Sequence, residues 1–337
     1  MLDSKFCQAT LTIRRSPEPT VDTLAVVLEA PETLALSRLD LVAPGDEDVV
    51  VDVEFSGIST GTERLLFTGR MPPFPGMGYP LVPGYESVGR VVGAGAAASR
   101  RVGEHVFVPG ARCFAPRDGQ PVRGLFGGAA RRLVVPSAKT VPVAESLGAD
   151  AVLLALAATA QHAIAPGAVP PDLVIGHGVL GRLIARIVVA MGAPAPTVWE
   201  LNPARSDGAR GYQVVSPDDD PRRDYRCICD VSGDSGILDT LVQRLAPGGE
   251  IVLAGFYSAP LSFSFPPAFM REARIRIAAE WREPDLITVQ ALIADGRLPL
   301  DGLVTHRRDF ASAPDAYRTA FEDPGCLKMV LDWRDCQ

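Results

Sequence analysis

The chain has 337 residues, 47% of them apolar and 22% charged, which is enough for two domains with cores of their own. Its net charge of −7, without a basic stripe, predicts no nucleic-acid partner. Glycines and prolines are numerous (32 and 30) but follow no period, which excludes a fibrous protein. Six scattered cysteines indicate reduced thiols and a cytoplasmic protein.

The first part of the chain is rich in short apolar runs. Residues 1–22 are polar and lack an apolar signal-peptide core, so a loose N-terminal extension is predicted there. From residue 23 to about 150, valine-rich runs bounded by Gly and Pro predict a compact β-rich unit. The longest apolar run, 151–165, is short for a membrane span and carries Gln161 and His162. We expect a buried helix, with His162 a hydrogen-bonded core residue, and no transmembrane segment.

Strands and helices alternate from 151 to 283. A strand at 172–175, a helix at about 180–191 and a strand at about 197–200 form a predicted βαβ unit. The alternation continues to 283, so a doubly wound parallel sheet and an α/β fold class are predicted. Two helices and a final strand in 284–337 are expected to fold back onto the first unit.

A G-x-G-x-x-G motif lies between the first strand and the helix of this βαβ unit. Its glycines permit a tight turn, a close approach of the backbone to a pyrophosphate, and close helix–strand packing, and the helix N-terminus attracts phosphates. Glu200 lies 24 residues after the first glycine and is predicted to bind the ribose hydroxyls, which favours NAD over NADP. The nearby Arg205 argues against this preference. His177 is predicted either to touch the pyrophosphate or to lie on the loop surface. The predicted cofactor-binding residues are Gly176, His177, Gly178, Val179, Leu180, Gly181, Glu200 and Arg205.

The sequence resembles the medium-chain dehydrogenase/reductase superfamily over about residues 24–333. The stretches that carry this are GYESVGRVVGAG, VGEHVFV, GHGVLG, RLAPGGEIVLAGF and KMVLDW. The resemblance implies a GroES-like catalytic domain at 23–150, a Rossmann domain at 151–283, and a possible homodimer formed through the strand near 273–281.

The zinc ligands of that superfamily are missing here. Its Gly-His-Glu motif, whose histidine is a catalytic zinc ligand, has Tyr85 in place of the histidine. Its cysteine-bearing loop has Ser59 and Thr60, and the third ligand position falls near Ala155. Of its four-cysteine structural lobe, Cys113 alone is present. Because tetrahedral zinc needs Cys, His or carboxylate ligands, we predict that both metal sites are lost.

Residues 56–92 resemble, more narrowly, the branch of this superfamily that acts in bacteriochlorophyll biosynthesis. That resemblance implies oxidation of the 3-(1-hydroxyethyl) group of a bacteriochlorophyllide to a 3-acetyl group, with NAD as hydride acceptor. Proton handling is then assigned to Ser59, Thr60, Glu63 and Tyr85. Tyr85 is predicted either to hold the alcohol or relay its proton, if its pKa is lowered, or only to fill the space left by zinc. Glu86 is expected to be structural and to bond backbone groups.

The loop at 64–80 mixes methionines and aromatic residues with Gly and Pro, which is typical of an adaptable apolar surface. It is predicted to receive the flat macrocycle, with Arg64 or Arg70 pairing with a propionate, and ordinary loop packing is the alternative. The residues predicted to bind substrate are Arg64, Arg70, Met71, Phe74, Met77 and Tyr79.

Two other functions stay open at this point. The first is a zinc-free quinone or enoyl reductase that uses NADPH on a small conjugated carbonyl, which Glu200 disfavours and a nucleotide-preference assay would decide. The second is a non-catalytic pigment- or nucleotide-binding protein on the same fold, which tight NAD binding without turnover would reveal.

Overall fold

A computed structural model describes residues 21–73, 75–124, 126–164 and 169–336. The strands of these residues are β1 (Asp22–Ala30), β2 (Thr33–Asp40), β3 (Asp48–Ile58), β4 (Ser87–Ala94), β5 (His105–Val108), β6 (Arg132–Pro136), β7 (Val141–Pro142), β8 (Leu173–Ile175), β9 (Thr197–Trp199), β10 (Gln213–Val215), β11 (Tyr225–Asp230), β12 (Leu245–Leu253), β13 (Arg274–Ile277), β14 (His306–Asp309) and β15 (Met329–Asp332). The helices are α1 (Thr62–Phe67), α2 (Leu154–Ile164), α3 (Val179–Ala190), α4 (Leu238–Arg244), α5 (Phe265–Met270), α6 (Glu283–Ala294) and α7 (Ala313–Glu322).

One of the two large sheets has six parallel strands in the order β10-β9-β8-β11-β12-β13. Its central strand β8 is buried along its length, as expected for a parallel sheet covered on both faces. The strand order reverses between β8 and β11, which is the point where such sheets bind nucleotides. The predicted doubly wound sheet and the α/β fold class are confirmed.

The other large sheet is mostly antiparallel and has the order β14-β15-β3-β4-β5-β7, with β6 also paired to β3. The final strand β15 pairs with β3 from the start of the chain, with Met329 opposite Ile58. This pairing supports the proposed return of 284–337 to the N-terminal unit. Helix α6, although it belongs to the same segment as β15, packs on α2 and buries Leu286 and Val289 there. The division at 150 and 283 stays a prediction, and the proposed extension at 1–22 falls almost wholly outside the described residues.

One helical run, Glu145–Ile164, is long and apolar enough to span a membrane among the residues that the structure covers. The protein itself buries 61% of its most apolar window. The run starts as a 3-10 helix interrupted at Gly148, and α2 then packs between α3 and α6. His162 Nδ1 lies 2.8 Å from Asp285 Oδ2, which ties α2 to α6. The prediction of a buried helix with a hydrogen-bonded histidine is confirmed for the part through Ile164.

Candidate active site

Three neighbouring strands bring distant parts of the chain together where their ends meet in the antiparallel sheet. Ser59 follows the end of β3, Glu86 immediately precedes β4, and Lys328 immediately precedes β15. β3 lies between the other two strands, and its last residues pair with the first residues of both. The strand register therefore places these three side chains close to one another.

Ser59 and Tyr85, at two positions where the resemblance implied zinc ligands, hydrogen-bond to each other. The Tyr85 hydroxyl donates to Ser59 Oγ at 2.7 Å, and the Tyr85 ring packs edge-on against Phe126 with centroids 5.0 Å apart. At the third position Ala155 presents a buried methyl group. A serine, a tyrosine and an alanine do not fit tetrahedral zinc, which takes Cys, His or carboxylate ligands. Within the described ranges, no group of three or more His, Cys, Asp or Glu is arranged to hold a metal ion.

The phenol of Tyr85 is held in its protonated form. Burial, together with the negative charge of the neighbouring Glu86, raises the pKa of Tyr85 above its ordinary value of 10. A proton relay through Tyr85 required a lowered pKa, and that expectation is wrong. Tyr85 is a hydrogen-bond donor that orients the hydroxyl of Ser59, which is 5% exposed and keeps its proton and one lone pair for a further partner.

Glu86 and Lys328 form a buried ion pair beneath Tyr85. Lys328 Nζ donates to both carboxylate oxygens of Glu86, at 2.7 and 2.9 Å, and to the carbonyl of Ile58 at 3.3 Å. The carboxylate lies so close to Gly57 that a Cβ there would meet Glu86 Oε2 at 2.4 Å. Burial raises the pKa of Glu86, and the ammonium opposes that rise. The expectation that Glu86 bonds backbone groups is wrong, because its side chain is taken by a lysine.

Glu63 lies below Ser59, on the first turn of α1. Its Oε1 accepts from the backbone N–H of Ser59 at 3.3 Å and its Oε2 accepts from the Tyr317 hydroxyl at 2.9 Å. The side chain is fully buried and does not reach a substrate directly, and its part in proton handling stays a prediction. Burial first, and then the charge of Glu86, raise the pKa of Glu63 to about 8. Thr60, by contrast, is partly exposed beside Ser59.

Sequence reasoning missed Tyr317 and Lys328. They are 254 and 242 residues away from Glu63 and Glu86, their respective partners. Tyr317 reads as an ordinary apolar position of α7, and Lys328 as a polar residue in front of a buried strand. The pairing of β15 with β3 brings Lys328 to this site, and α7, which packs against β15, brings Tyr317.

The dinucleotide loop has the geometry that its glycines predict. Gly176 has a φ of +98°, and a Cβ on Gly181 would lie 1.9 Å from the carbonyl oxygen of Gly176. Gly178 caps α3, and no atom lies within 4 Å of where its Cβ would be. Val179 and Leu180 form the first turn of α3. The free N–H groups of that turn and the open space at Gly178 fit a pyrophosphate.

Glu200 lies at the end of β9 and faces this loop. Its carboxylate accepts from the backbone N–H of His177 at 2.9 Å and of Asn202 at 2.8 Å. The His177 ring is fully buried, with Nδ1 on the Arg205 carbonyl at 2.6 Å and Nε2 on the Tyr212 hydroxyl at 2.9 Å. Burial lowers its pKa to about 4. The expectation of a loop-surface position for His177 is wrong because the ring is buried. The alternative of a side-chain contact with the pyrophosphate is also wrong, because both ring nitrogens are already hydrogen-bonded to protein groups.

The Arg205 guanidinium turns away from the loop. Its Nε donates to the carbonyl of Pro324 at 2.8 Å, four residues before Lys328. Arg205 therefore joins the strand end that carries Glu200 to the segment that carries the ion-pair lysine.

The loop proposed for the macrocycle is partly core. Met71 is buried with Leu28, Leu66 and Leu81, and Met77 and Tyr79 pack against the same cluster. The Tyr79 hydroxyl donates to the Leu66 carbonyl. For Met71, Met77 and Tyr79 the structure therefore favours the packing alternative. The remaining predicted residues of the loop are the exposed Arg64 and Arg70, and Phe74, which lies outside the described residues.

Comparison with known proteins agrees with this architecture. The alcohol dehydrogenase GroES-like domain family matches residues 45–145. The chain is 56% identical over 313 residues to the 2-desacetyl-2-hydroxyethyl bacteriochlorophyllide A dehydrogenase of Cereibacter sphaeroides, covering 93% of this chain and 98% of the relative. It is 55% identical to the protein of that name from Rhodobacter capsulatus, covering 94% and 100%.

Among solved structures, a short chain alcohol dehydrogenase from E. coli CFT073, complexed with NADH, superposes with a TM-score of 0.78 at 22% identity. That comparison covers 92% of this chain and 99% of the other, and it shows a shared fold. The sequence identity to the two bacteriochlorophyllide dehydrogenases, 56% and 55% over nearly the full length, is far above this 22%. The chain therefore belongs to the medium-chain dehydrogenase/reductase superfamily, in its family of bacteriochlorophyllide dehydrogenases.

Proposed function

We propose that the protein oxidises the 3-(1-hydroxyethyl) group of a bacteriochlorophyllide to a 3-acetyl group, with NAD as hydride acceptor, as a step of bacteriochlorophyll biosynthesis. The observation that carries this is the 56% identity over 93% of the chain to a dehydrogenase named for that pigment. The intact dinucleotide loop and the polar Ser59–Tyr85 pair supply what an alcohol oxidation needs.

The polar groups of this site hold the substrate hydroxyl. When bound, NAD supplies the hydride acceptor. Ser59, oriented by the Tyr85 hydroxyl, and the partly exposed Thr60 present oxygens that can bond the alcohol oxygen. The buried cluster of Glu63, Glu86 and Lys328 fixes the backbone on which they stand.

The substrate itself reduces the need for a metal. The carbon that loses the hydride is bonded to a conjugated macrocycle, which delocalises the positive charge that develops there. A Lewis acid, which other members of the superfamily obtain from zinc, then has less to contribute. Turnover should survive treatment with a strong chelator, and loss of turnover that added zinc restores would contradict this mechanism.

We propose that NAD is preferred over NADP. The Glu200 carboxylate lies where the ribose hydroxyls are expected and would repel a 2′-phosphate, while the Arg205 guanidinium is bonded to Pro324. Repulsion of about 1.4 kcal/mol would already give a tenfold preference. Measuring kcat/KM with both nucleotides tests this, and an equal or higher value with NADP would overturn it.

We also propose a homodimer formed through β13, the edge strand of the parallel sheet. This edge exposes an unusual amount of apolar surface, including Ile277 at 67% and Met270 at 77%, with Phe265 and Phe269 beside them. Light scattering should give the mass of a dimer for the wild type and the mass of a monomer for Ile277→Lys. A monomeric wild type would refute the proposal.

Five described cysteines are free and buried, which fits a reducing compartment, and we propose a cytoplasmic location.

A further inference from the structure

Glu63 is a fully buried carboxyl group that contacts the active site through the backbone. Its two oxygens accept from the Ser59 N–H at 3.3 Å and from the Tyr317 hydroxyl at 2.9 Å. The side chain of Ser59 accepts the hydrogen bond from the Tyr85 hydroxyl. Glu63 thus cannot touch a substrate, but it holds the residue that does.

The charges around Glu63 leave it without a cationic partner. The titratable groups that face it are Glu86 in front of β4, Lys328 in front of β15, Tyr317 on α7 and Tyr85. Lys328 is bonded to Glu86 at 2.7 Å, and the two groups that bond Glu63 are neutral donors. Since burial raises the pKa of Glu63 to about 8, its carboxyl group is mostly neutral at pH 7.

We propose that Glu63 and Tyr317 are positioning residues of the dehydrogenase: the neutral Glu63 carboxyl, held by Tyr317, fixes Ser59 for the substrate, and ionisation of Glu63 at alkaline pH slows turnover. The proposal rests on the proposed function, because Ser59 is taken to meet the substrate hydroxyl. The physical reason is electrostatic. A second buried carboxylate beside Glu86 opposes the build-up of negative charge on the alcohol oxygen as its proton leaves, and charges interact strongly in this water-poor site.

The test compares the pH dependence of the wild type with that of Glu63→Gln. Glutamine keeps the size of the side chain and an acceptor for the Ser59 N–H, but it does not ionise. One pH unit above the pKa of Glu63 about nine-tenths of the wild type is ionised, so the ratio of kcat for Glu63→Gln to kcat for wild type should rise about tenfold from pH 7 to pH 9. KM for the pigment should change little. A ratio that stays constant with pH would overturn the proposal.

Two further variants separate positioning from general stability. Tyr317→Phe removes a hydrogen bond that lowers the pKa of Glu63, so the alkaline decline of kcat should move to higher pH. Asp285→Asn changes another buried carboxyl, the partner of His162, and should give a kcat ratio independent of pH. An unmoved decline in Tyr317→Phe, or the same rise in Asp285→Asn, would overturn the assignment.

Infrared difference spectra test the titration without any substrate. The wild type should lose a protonated-carboxyl band between about pH 7 and pH 9, and Glu63→Gln should lack that change. If the wild type fails to oxidise the pigment alcohol, the proposed function fails, and the inference on Glu63 is then judged by this band alone. Absence of the band difference would overturn it.

Discussion

The buried Glu86–Lys328 pair offers the sharpest test of how this site is held together. Lys328→Met keeps the length of the side chain but removes the ammonium that donates to Glu86 at 2.7 and 2.9 Å and to Ile58 at 3.3 Å. Both side chains are almost fully buried, with 1% and 0% exposed. Removing one partner of such a pair leaves an uncompensated buried charge and costs about 3–5 kcal/mol. At about 2–4 °C per kcal/mol, that is a fall in Tm of roughly 6–20 °C.

A double-mutant cycle measured by urea unfolding separates the pair from its members. Lys328→Met combined with Glu86→Gln removes both charges and should recover a large part of the loss, because no charge is then left unpaired. Arg318→Met breaks a comparable but exposed pair with Asp315 and should change stability little. A loss below about 1 kcal/mol in Lys328→Met, or a double mutant whose loss equals the sum of the single losses, would refute this reasoning.

Three more predictions concern the same sites. Tyr85→Phe keeps the ring but loses the hydrogen bond to Ser59, so kcat should fall by about 10–100-fold with NAD affinity unchanged; an unchanged kcat would make Tyr85 a space filler. The Glu63 pKa rises from 4.5 unfolded to about 8 folded, so its stabilisation is complete below pH 4.5 and disappears as the pH rises to about 8. Wild type should then lose up to about 5 kcal/mol across that window relative to Glu63→Gln, and parallel unfolding curves would contradict this. Gly181→Ala places a Cβ 1.9 Å from the Gly176 carbonyl and should weaken NAD binding at least about tenfold by calorimetry; an unchanged Kd would be inconsistent with the loop geometry.

The βαβ unit was predictable because its signals are local. The strand predicted at 172–175 is Leu173–Ile175, and the helix predicted at 180–191 is Val179–Ala190. Periodicity and the glycine spacing are enough for such a unit. The buried helix predicted at 151–165 was less accurate at its start, because residues through Leu153 belong to a 3-10 helix that is broken at Gly148, whose φ is +49°.

The candidate site was predictable only in part. Ser59 and Tyr85 followed from motif positions, but their hydrogen bond did not, because it depends on how the end of β3 lies beside the start of β4. Tyr317 and Lys328 could not be found, since hundreds of residues separate them from their partners. The composition of the 64–80 loop did not reveal which side chains face the core, and Met71 proved to be one of them.

We propose that this chain oxidises a pigment alcohol with NAD by means of a polar site that does not rely on zinc. The most direct measurement mixes chelator-treated protein, NAD and 3-hydroxyethyl bacteriochlorophyllide and follows absorbance. A red-shifted acetyl product should form together with an equal amount of NADH. No product, or product that appears only after zinc is added, would contradict it.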